Sequence, residues 1–333
     1  MFISFYDKNF NTVDNNSSLA IEKYSLSRRS YDLNTFSCVC EPIDLTVEPM
    51  FAVVRDNKGK RYYDCMQPIY TRDKSGKGTV EARDLKAVFN TEAIIDFTAA
   101  QSSVKALLDY IFTSWKNSAN SGFANVQFVT DSIADITDEV QQPTEKKAYN
   151  VLDLFGQLMA YYGLYFTGEI DIKTKTLIFT VRKSQETTVK IKLEEYGITD
   201  FAKSYPETNM ITAATSDFST TKKWFLLQSG QITDKESLQD IFPTSGKVIT
   251  AETIDEANVE AVLELAENRN QESIEITVTP NDRNYNIDFN TSVVVYYSGK
   301  EYKTLPIGEI SESEGTEKKI TLGYKPVELI QLI

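Results

Sequence analysis

Apolar and polar residues alternate in steps of two near both ends of this chain and recur at helical spacing in its middle. Phe2–Tyr6 predicts a first strand, closed by turn residues over Asp7–Asn11. Thr35–Cys40 and Phe51–Arg55 predict further strands. Asp56–Gly59 turns the chain, and Lys60–Tyr70 returns it as a hairpin. Ser75–Gly78 predicts another turn. Near residue 83 the period changes. Arg83–Phe89 predicts a short helix, and Ser102–Lys116 a longer one with Val104, Leu107, Leu108, Ile111 and Trp115 on one stripe. Asp131–Glu145 is polar, contains Pro143 and predicts a loop.

Asn150–Val181 is the most regular stretch. Asn150 can cap a helix and Asp153 places negative charge in its first turn. Val151, Leu154, Phe155, Leu158 and Tyr162 share a face, and Gly163 stands where a helix ends in a left-handed turn. A hairpin turning around Asp171–Lys175 follows, with Leu177, Phe179 and Val181 on one side. From about residue 188 strands return, at Val189–Leu193, Asn209–Ala214 and Trp224–Gln228. Thr253–Glu256 is a capping box that starts a helix running to Glu267, with Ile254, Ala257, Ala261, Val262 and Leu265 inward. Ile274, Ile276 and Val278 alternate with Glu275, Thr277 and Thr279 as in a one-sided antiparallel strand. Val293–Tyr297, Leu305–Ser311 and Lys318–Leu322 complete a meander. The fold class is therefore α+β and mainly antiparallel β. The two β-rich ends are candidates for similar structures without similar sequences.

Composition narrows the functions. The chain has 333 residues, enough for two or more domains, and 41% are hydrophobic. No apolar run approaches the roughly 20 residues of a membrane helix, and Met1–Lys8 lacks the basic and apolar regions of a secretory signal. Cys38, Cys40 and Cys65 are too few for a disulfide framework, which points to assembly in a reducing cytoplasm. A net charge of −13 argues against wrapping nucleic acid. The basic pairs Arg28–Arg29, Lys146–Lys147, Lys222–Lys223 and Lys318–Lys319 are scattered and predict solvated faces. There is no histidine, so a serine or cysteine triad is excluded.

The remaining candidates for chemistry are weak. Asp7–Asn11 has the opening of a calcium loop, but Thr12 stands for its glycine and Ser18 for its final glutamate. Ser75–Thr79 lacks the leading glycine of a phosphate loop. Cys38 and Cys40 share a strand face and predict buried packing. Glu260, Glu264 and Glu267 share a helix face that predicts solvation, and Glu194 and Glu195 point apart. Tyr62–Tyr63, Tyr161–Tyr162 and Tyr296–Tyr297 could line a sugar surface or pack in cores and interfaces. No catalytic, cofactor-binding or metal-ligating residue is assigned.

The collinear order of these segments resembles the tail-tip (baseplate) hub proteins of bacteriophages, the tail-associated Tal or Gp27-like hubs. Ile3–Val13 is similar to the family's opening hairpin, and Tyr24–Phe36 to its second strand. Val80–Phe89 is similar to its strand-then-helix, Asn150–Val181 to its helix-and-hairpin module, and Val293–Tyr324 to its closing strands. The chain departs where Thr291–Ser292 replaces a glycine-aspartate turn.

The resemblance implies two tail-tube-like β domains with an inserted α/β domain: 1–82, completed by later strands, then 83–187 inserted, then 188–333 with one helix. It implies a homotrimer forming a pseudo-sixfold ring at the virion tail tip, assembled in the cytoplasm of a host that carries a phage or prophage. The implied partners are the distal tail protein, the tape measure protein, and a tail fibre or receptor-binding protein. Genome DNA passes through without specific binding at ejection, and the host surface is met indirectly. Such a hub is not an enzyme and needs no cofactor. The chain ends soon after the Leu322–Tyr324 segment, as expected of the hub alone. Two other classes stay open. One is a saccharide-binding receptor-binding module. The other is a cell-wall glycosidase, which needs two acids about 5–10 Å apart.

Overall fold

The computed structural model describes residues 1–323 except 14–17, 31–32, 42–47, 73–76, 119–124, 139, 141, 144–145, 185–186, 204–207, 228–231, 240–245, 269–271 and 314–316. The first six strands are β1 (Phe2–Tyr6), β2 (Leu19–Arg29), β3 (Thr35–Cys40), β4 (Phe51–Arg55), β5 (Arg61–Arg72) and β6 (Gly78–Asp84). They pair in the order β1-β4-β5-β6-β3-β2, and β1 also pairs with β2, so the antiparallel sheet closes on itself. Ile3, Phe5, Cys38, Cys40, Ala52, Val54, Cys65 and Val80 fill its interior. β4 is buried on both faces. Ala52 and Val54 look into the barrel, while Phe51 and Val53 join a second core outside it. That double burial is why Phe51–Val54 is a continuous apolar run rather than an alternation.

The outer core belongs to the next segment. It contains a five-residue 3-10 turn, Leu85–Phe89, then β7 (Glu92–Asp96), α1 (Val104–Ser118), β8 (Val126–Val129), β9 (Lys146–Asn150), α2 (Val151–Tyr162), β10 (Leu164–Asp171) and β11 (Thr176–Lys183). The short helix expected at Arg83–Phe89 is this tighter turn: Arg83 and Asp84 end β6, and the Asp84 carboxylate caps the turn by accepting from Lys86 N at 3.0 Å. The stripe of α1 is fully inward. Asn150 Oδ1 accepts from Leu152 N at 3.0 Å and Asp153 N at 3.3 Å, and Gly163 ends α2 at φ 62°. Part of the expected loop, 139, 141 and 144–145, lies outside the described residues. Asp131–Ile133 is a 3-10 turn. Phe89 sits at the middle of the aromatic core, its ring 4.7 Å from Trp115, 4.7 Å from Phe179 and 5.3 Å from Phe155.

The remaining strands are β12 (Thr187–Lys192), β13 (Gly197–Lys203), β14 (Met210–Thr215), β15 (Thr221–Leu226), β16 (Ile232–Thr233) and β17 (Gly246–Ala251), then α3 (Ile254–Asn268), β18 (Glu272–Val278), β19 (Thr291–Tyr297), β20 (Lys300–Ser313) and β21 (Lys318–Gly323). Six of them pair in the order β12-β19-β20-β21-β18-β13. Counting strands within each six-stranded set, both sets read 1-4-5-6-3-2. The copies differ in their first strand, since β1 is antiparallel to β4 and β12 is parallel to β19. The similarity sought between the two β-rich ends is thus a repeat of topology. Ile274, Ile276, Val293, Val295, Ile310 and Ile320 fill the second set.

β14–β17 form a separate four-stranded sheet between β13 and β18. α3 lies on this sheet through Ala257, Ala261 and Leu265, and its Leu263 reaches the α/β core. The fold is α+β and mainly antiparallel β. No helix among the described residues is long and apolar enough to cross a membrane.

Candidate functional site

The two six-stranded units meet edge to edge. β20 outruns β19, and its last residues pair with β21 on one side and with β2 on the other, from Ser25↔Ser313 to Arg29↔Glu309. Side chains reinforce this seam. The Arg28 guanidinium lies 3.3 Å from Asp288 and 3.5 Å from Glu312, over the Phe289 ring at 5.7 Å. Glu312 is almost fully buried and also receives Lys318 at 3.1 Å and the Tyr62 hydroxyl of β5. Ser27 Oγ donates to Glu309 at 2.6 Å, and Ser311 Oγ donates to the same oxygen at 2.9 Å. A planar guanidinium between two carboxylates gives direction as well as attraction. A buried carboxylate with two cations is costly to strip of either.

A second seam joins the first barrel to the α/β unit. Asp84 accepts from Asn34 N at 2.8 Å and pairs with Lys86 Nζ at 3.4 Å. Lys86 is 2% exposed, donates to the Arg29 carbonyl at 3.3 Å and lies 5.6 Å from the Phe166 ring centre. It therefore ties the end of β2, the end of β6 and β10 together. Nearby, Asp64 Oδ2 accepts from Ile170 N at 2.6 Å and lies 3.4 Å from Arg61, while Asp64 Oδ1 has no hydrogen-bond partner among the described residues. Burial pushes the Asp64 carboxyl up to about 6 against the pull of Arg61 and of the Ile170 amide.

The sequence candidates mostly resolve into packing. Cys38, Cys40 and Cys65 are buried free thiols, and burial pushes Cys65 up. Among the described residues no group of three or more Cys, Asp or Glu side chains is placed to hold a metal. Asp7 accepts from Asn9 N at 2.8 Å and Asn11 N at 2.9 Å, an Asx turn. Residues 75–76 of the Ser75–Thr79 segment lie outside the described residues, and Lys77 pairs with Glu22. Glu260 pairs with Lys147 at 3.3 Å and Glu264 with Lys247 at 2.7 Å, and the Glu267 side chain lies outside the description. Glu194 accepts from Ser298 N, and Glu195 lies 3.4 Å from Lys192. Tyr63 is buried, and Tyr161 and Tyr162 pack edge-on at 4.9 Å. Tyr297 is exposed on the β19–β20 hairpin.

In two of the basic pairs one member is not solvated, while Arg29 and Lys319 are exposed. Arg28 and Lys318 lie in the seam because β2 and β20 are paired there, and their shared partner Glu312 is 284 positions from Arg28. Asp288 likewise gave no sequence signal, since only the long-range fold makes it a neighbour of Arg28, and Asp64 gave none because its burial and its contact with Ile170 come from packing between segments 106 positions apart. A cleft of about 550 Å³ opens over β3 and β6, lined in part by Ser37, Glu81, Arg83, Asp84 and Asn90. Its two acids are Glu81 and Asp84, and Asp84 is already engaged in the second seam.

No family model and no curated protein sequence matches the chain. Solved structures do. The prophage tail protein gp18 from Listeria monocytogenes EGD-e superposes with a TM-score of 0.57 at 13% identity, over 99% of this chain and 96% of that one. The tail protein from Neisseria meningitidis MC58 superposes with a TM-score of 0.53 at 11% identity, over 97% and 96%. The Francisella PdpA-VgrG complex, half-lidded, gives 0.51 at 14% identity, over 97% of this chain and 57% of that one. Over nearly its whole length the chain carries the fold of phage tail proteins, which is what its resemblance to the tail-tip hub family implies.

Proposed function

We propose that this chain is a structural tail-tip hub of a phage or prophage. Three copies form a ring that joins the tail tube and distal tail protein to the tip and gates the DNA channel. The observation that carries the reading is the repeated 1-4-5-6-3-2 strand order with one edge-to-edge seam between the repeats. A rigid tandem of two like units converts three chains into six similar units about one axis, and a heterologous contact that closes makes a ring. In this reading 1–82 and 188–333 are the tube-like domains and 83–187 is the inserted α/β domain. The distal tail protein, the tape measure protein and a fibre or receptor-binding protein are its neighbours in the tail, and the host surface is reached through them. Assembly takes place in the host cytoplasm.

The charge supports a conduit. At −13 the chain repels a polyanion, so DNA slides past without sticking. A non-enzymatic role agrees with the use of Asp84, Glu312, Glu260 and Glu264 in ion pairs. Antibody labelling of tailed particles from cells that encode the chain tests the reading. Label at the distal end of tails is expected. Particles without label, with the protein soluble or on the cell surface, would overturn it.

A further inference from the structure

We propose that Phe218, at the turn between β14 and β15, is an anchor that enters an apolar, aromatic-walled pocket on a protein other than this chain. The contact is independent of the hub reading. Phe218 has φ 56° and is 64% exposed. Glycine or asparagine ordinarily takes such a left-handed position, and a bulky residue there is strained. An exposed phenyl ring adds a further cost in water. Phe218 thus combines two unfavourable features at one position, and no packing among the described residues offsets them.

The chain contains its own comparison. Phe10, in the turn after β1, has φ 62°. Each of the two phenylalanines donates its amide to the carbonyl three residues back, Phe10 N to Asp7 at 3.0 Å and Phe218 N to Thr215 at 2.8 Å. In each turn an aspartate accepts backbone amides, Asp7 from Asn9 and Asn11, and Asp217 from Ser219. The rings differ in what covers them. Phe10 is half-buried, stacks on Phe51 at 4.7 Å and 12°, and packs against the α/β core. Phe218 has the same backbone conformation and no ring stacked on it among the described residues. What it lacks is the counterpart of Phe51, and that gives the chemistry of the missing surface: an apolar pocket with an aromatic wall.

The turn holds the ring in a fixed position. Thr215 Oγ1 donates to Asp217 Oδ1 at 2.7 Å, Ser219 N at 3.0 Å and Ser219 Oγ at 2.8 Å. These bonds hold the Asp217 carboxyl down to about 2, so it stays charged through the neutral range. Ser216 N and Oγ both donate to the Ala251 carbonyl, at 2.8 and 2.9 Å, and tie the turn to the end of β17. An aromatic side chain on a preorganised turn loses little freedom on binding. Charge decides against two other occupants. Asp217 adjoins the ring, Glu252 follows Ala251 and is exposed, and 215–221 holds no lysine or arginine, so an anionic bilayer repels the turn. The cleft over β3 and β6 of a second copy carries Glu81, Arg83 and Asp84, charges that an apolar ring would strip of water.

The test places photoreactive benzoylphenylalanine at position 218 of the full chain. Irradiation of cells that encode the chain, followed by peptide mass spectrometry, should give one dominant crosslink to one apolar site on one other protein. With that protein purified, Phe218→Asn should weaken binding at least about tenfold, the loss of one anchor. Val248→Ser, at a residue 57% exposed on the same sheet, should leave binding unchanged. Phe218→Asn should unfold at the same urea concentration as the wild type or higher, since asparagine suits the left-handed backbone and no packing is lost. A clearly lower midpoint means that the ring packs within the chain and overturns the proposal. Crosslinks only to lipid, only to another copy of this chain or to nothing overturn it too, as does undiminished binding of Phe218→Asn. Tails labelled at their distal end but without a crosslink from position 218 overturn this contact and leave the hub reading standing. A crosslink to a single protein in cells whose tails carry no label overturns the hub reading and leaves the contact.

Discussion

Asp64 offers the sharpest single-residue test of the seam between the first barrel and the α/β unit. The residue is 4% exposed, and its carboxylate holds the Ile170 amide at 2.6 Å and has one oxygen without a hydrogen-bond partner among the described residues. Burial raises its pKa from 3.8 to about 6 in the folded chain, and Arg61 and the Ile170 amide offset only part of that rise. The folded state therefore holds the proton more tightly than the unfolded state. Its contribution to stability is complete below the unfolded value and is lost as pH rises through the folded value. A shift of about two units corresponds to about 3 kcal/mol. Asp64→Asn keeps an acceptor for Ile170 and removes the ionisation. Urea unfolding of the two proteins from pH 3.5 to 7.5 should show the variant gaining about 2–3 kcal/mol on the wild type, mostly between pH 4 and 6.5. Other carboxylates titrate in both proteins and cancel in the difference. Parallel curves, or a wild type that gains on the variant through pH 6, would refute the assignment of a desolvated carboxylate.

Three further outcomes follow from particular contacts. Phe89→Ala removes the ring at the centre of the aromatic core and should cost about 3–5 kcal/mol, with loss of near-ultraviolet dichroism, whereas a cost under about 1 kcal/mol would contradict that placement. Asn150→Ala should cost about 1 kcal/mol and speed amide exchange at Leu152 and Asp153 first, and equal exchange in both proteins would remove the cap from the account. A Cβ at Gly78 would overlap the Tyr70 ring, so Gly78→Ala should destabilise the β5–β6 hairpin, and Tyr70→Ala in the same chain should relieve most of the effect. Additive losses in the double variant would contradict the contact.

Local structure was legible where the signal is local. The stripe Val104–Trp115, the cap at Asn150, the left-handed Gly163 and the Thr253–Glu256 box all formed as their spacing indicates. In the box, Glu256 accepts from Thr253 N at 3.1 Å, and Thr253 Oγ1 accepts from Glu256 N at 3.3 Å. Strands that are polar on their outer face were harder. β2 carries Glu22, Lys23, Ser25, Ser27, Arg28 and Arg29, and β9 is Lys146–Asn150 with no buried residue, so neither shows a clean alternation. The grouping of β14–β17 with α3 depends on which sheet each strand joins, which periodicity does not encode. The seams were illegible for the same reason. Arg28 and Glu312, or Asp64 and Ile170, become partners only through the pairing or packing of strands 284 and 106 positions apart. A basic pair such as Arg28–Arg29 looks solvated until its opposing strand is known. Topological repetition was open to suspicion from the two β-rich ends, but its strand order is a property of pairing alone.

The most direct test of the hub reading is a single-particle electron-microscopy reconstruction of the purified full-length chain, with the mass measured on the same sample. The account predicts three chains in a closed ring, six six-stranded units about one axis, and an open or plugged central channel. A globular particle of one or two chains, or an assembly in which the two units of each chain do not lie around a common axis, would contradict it.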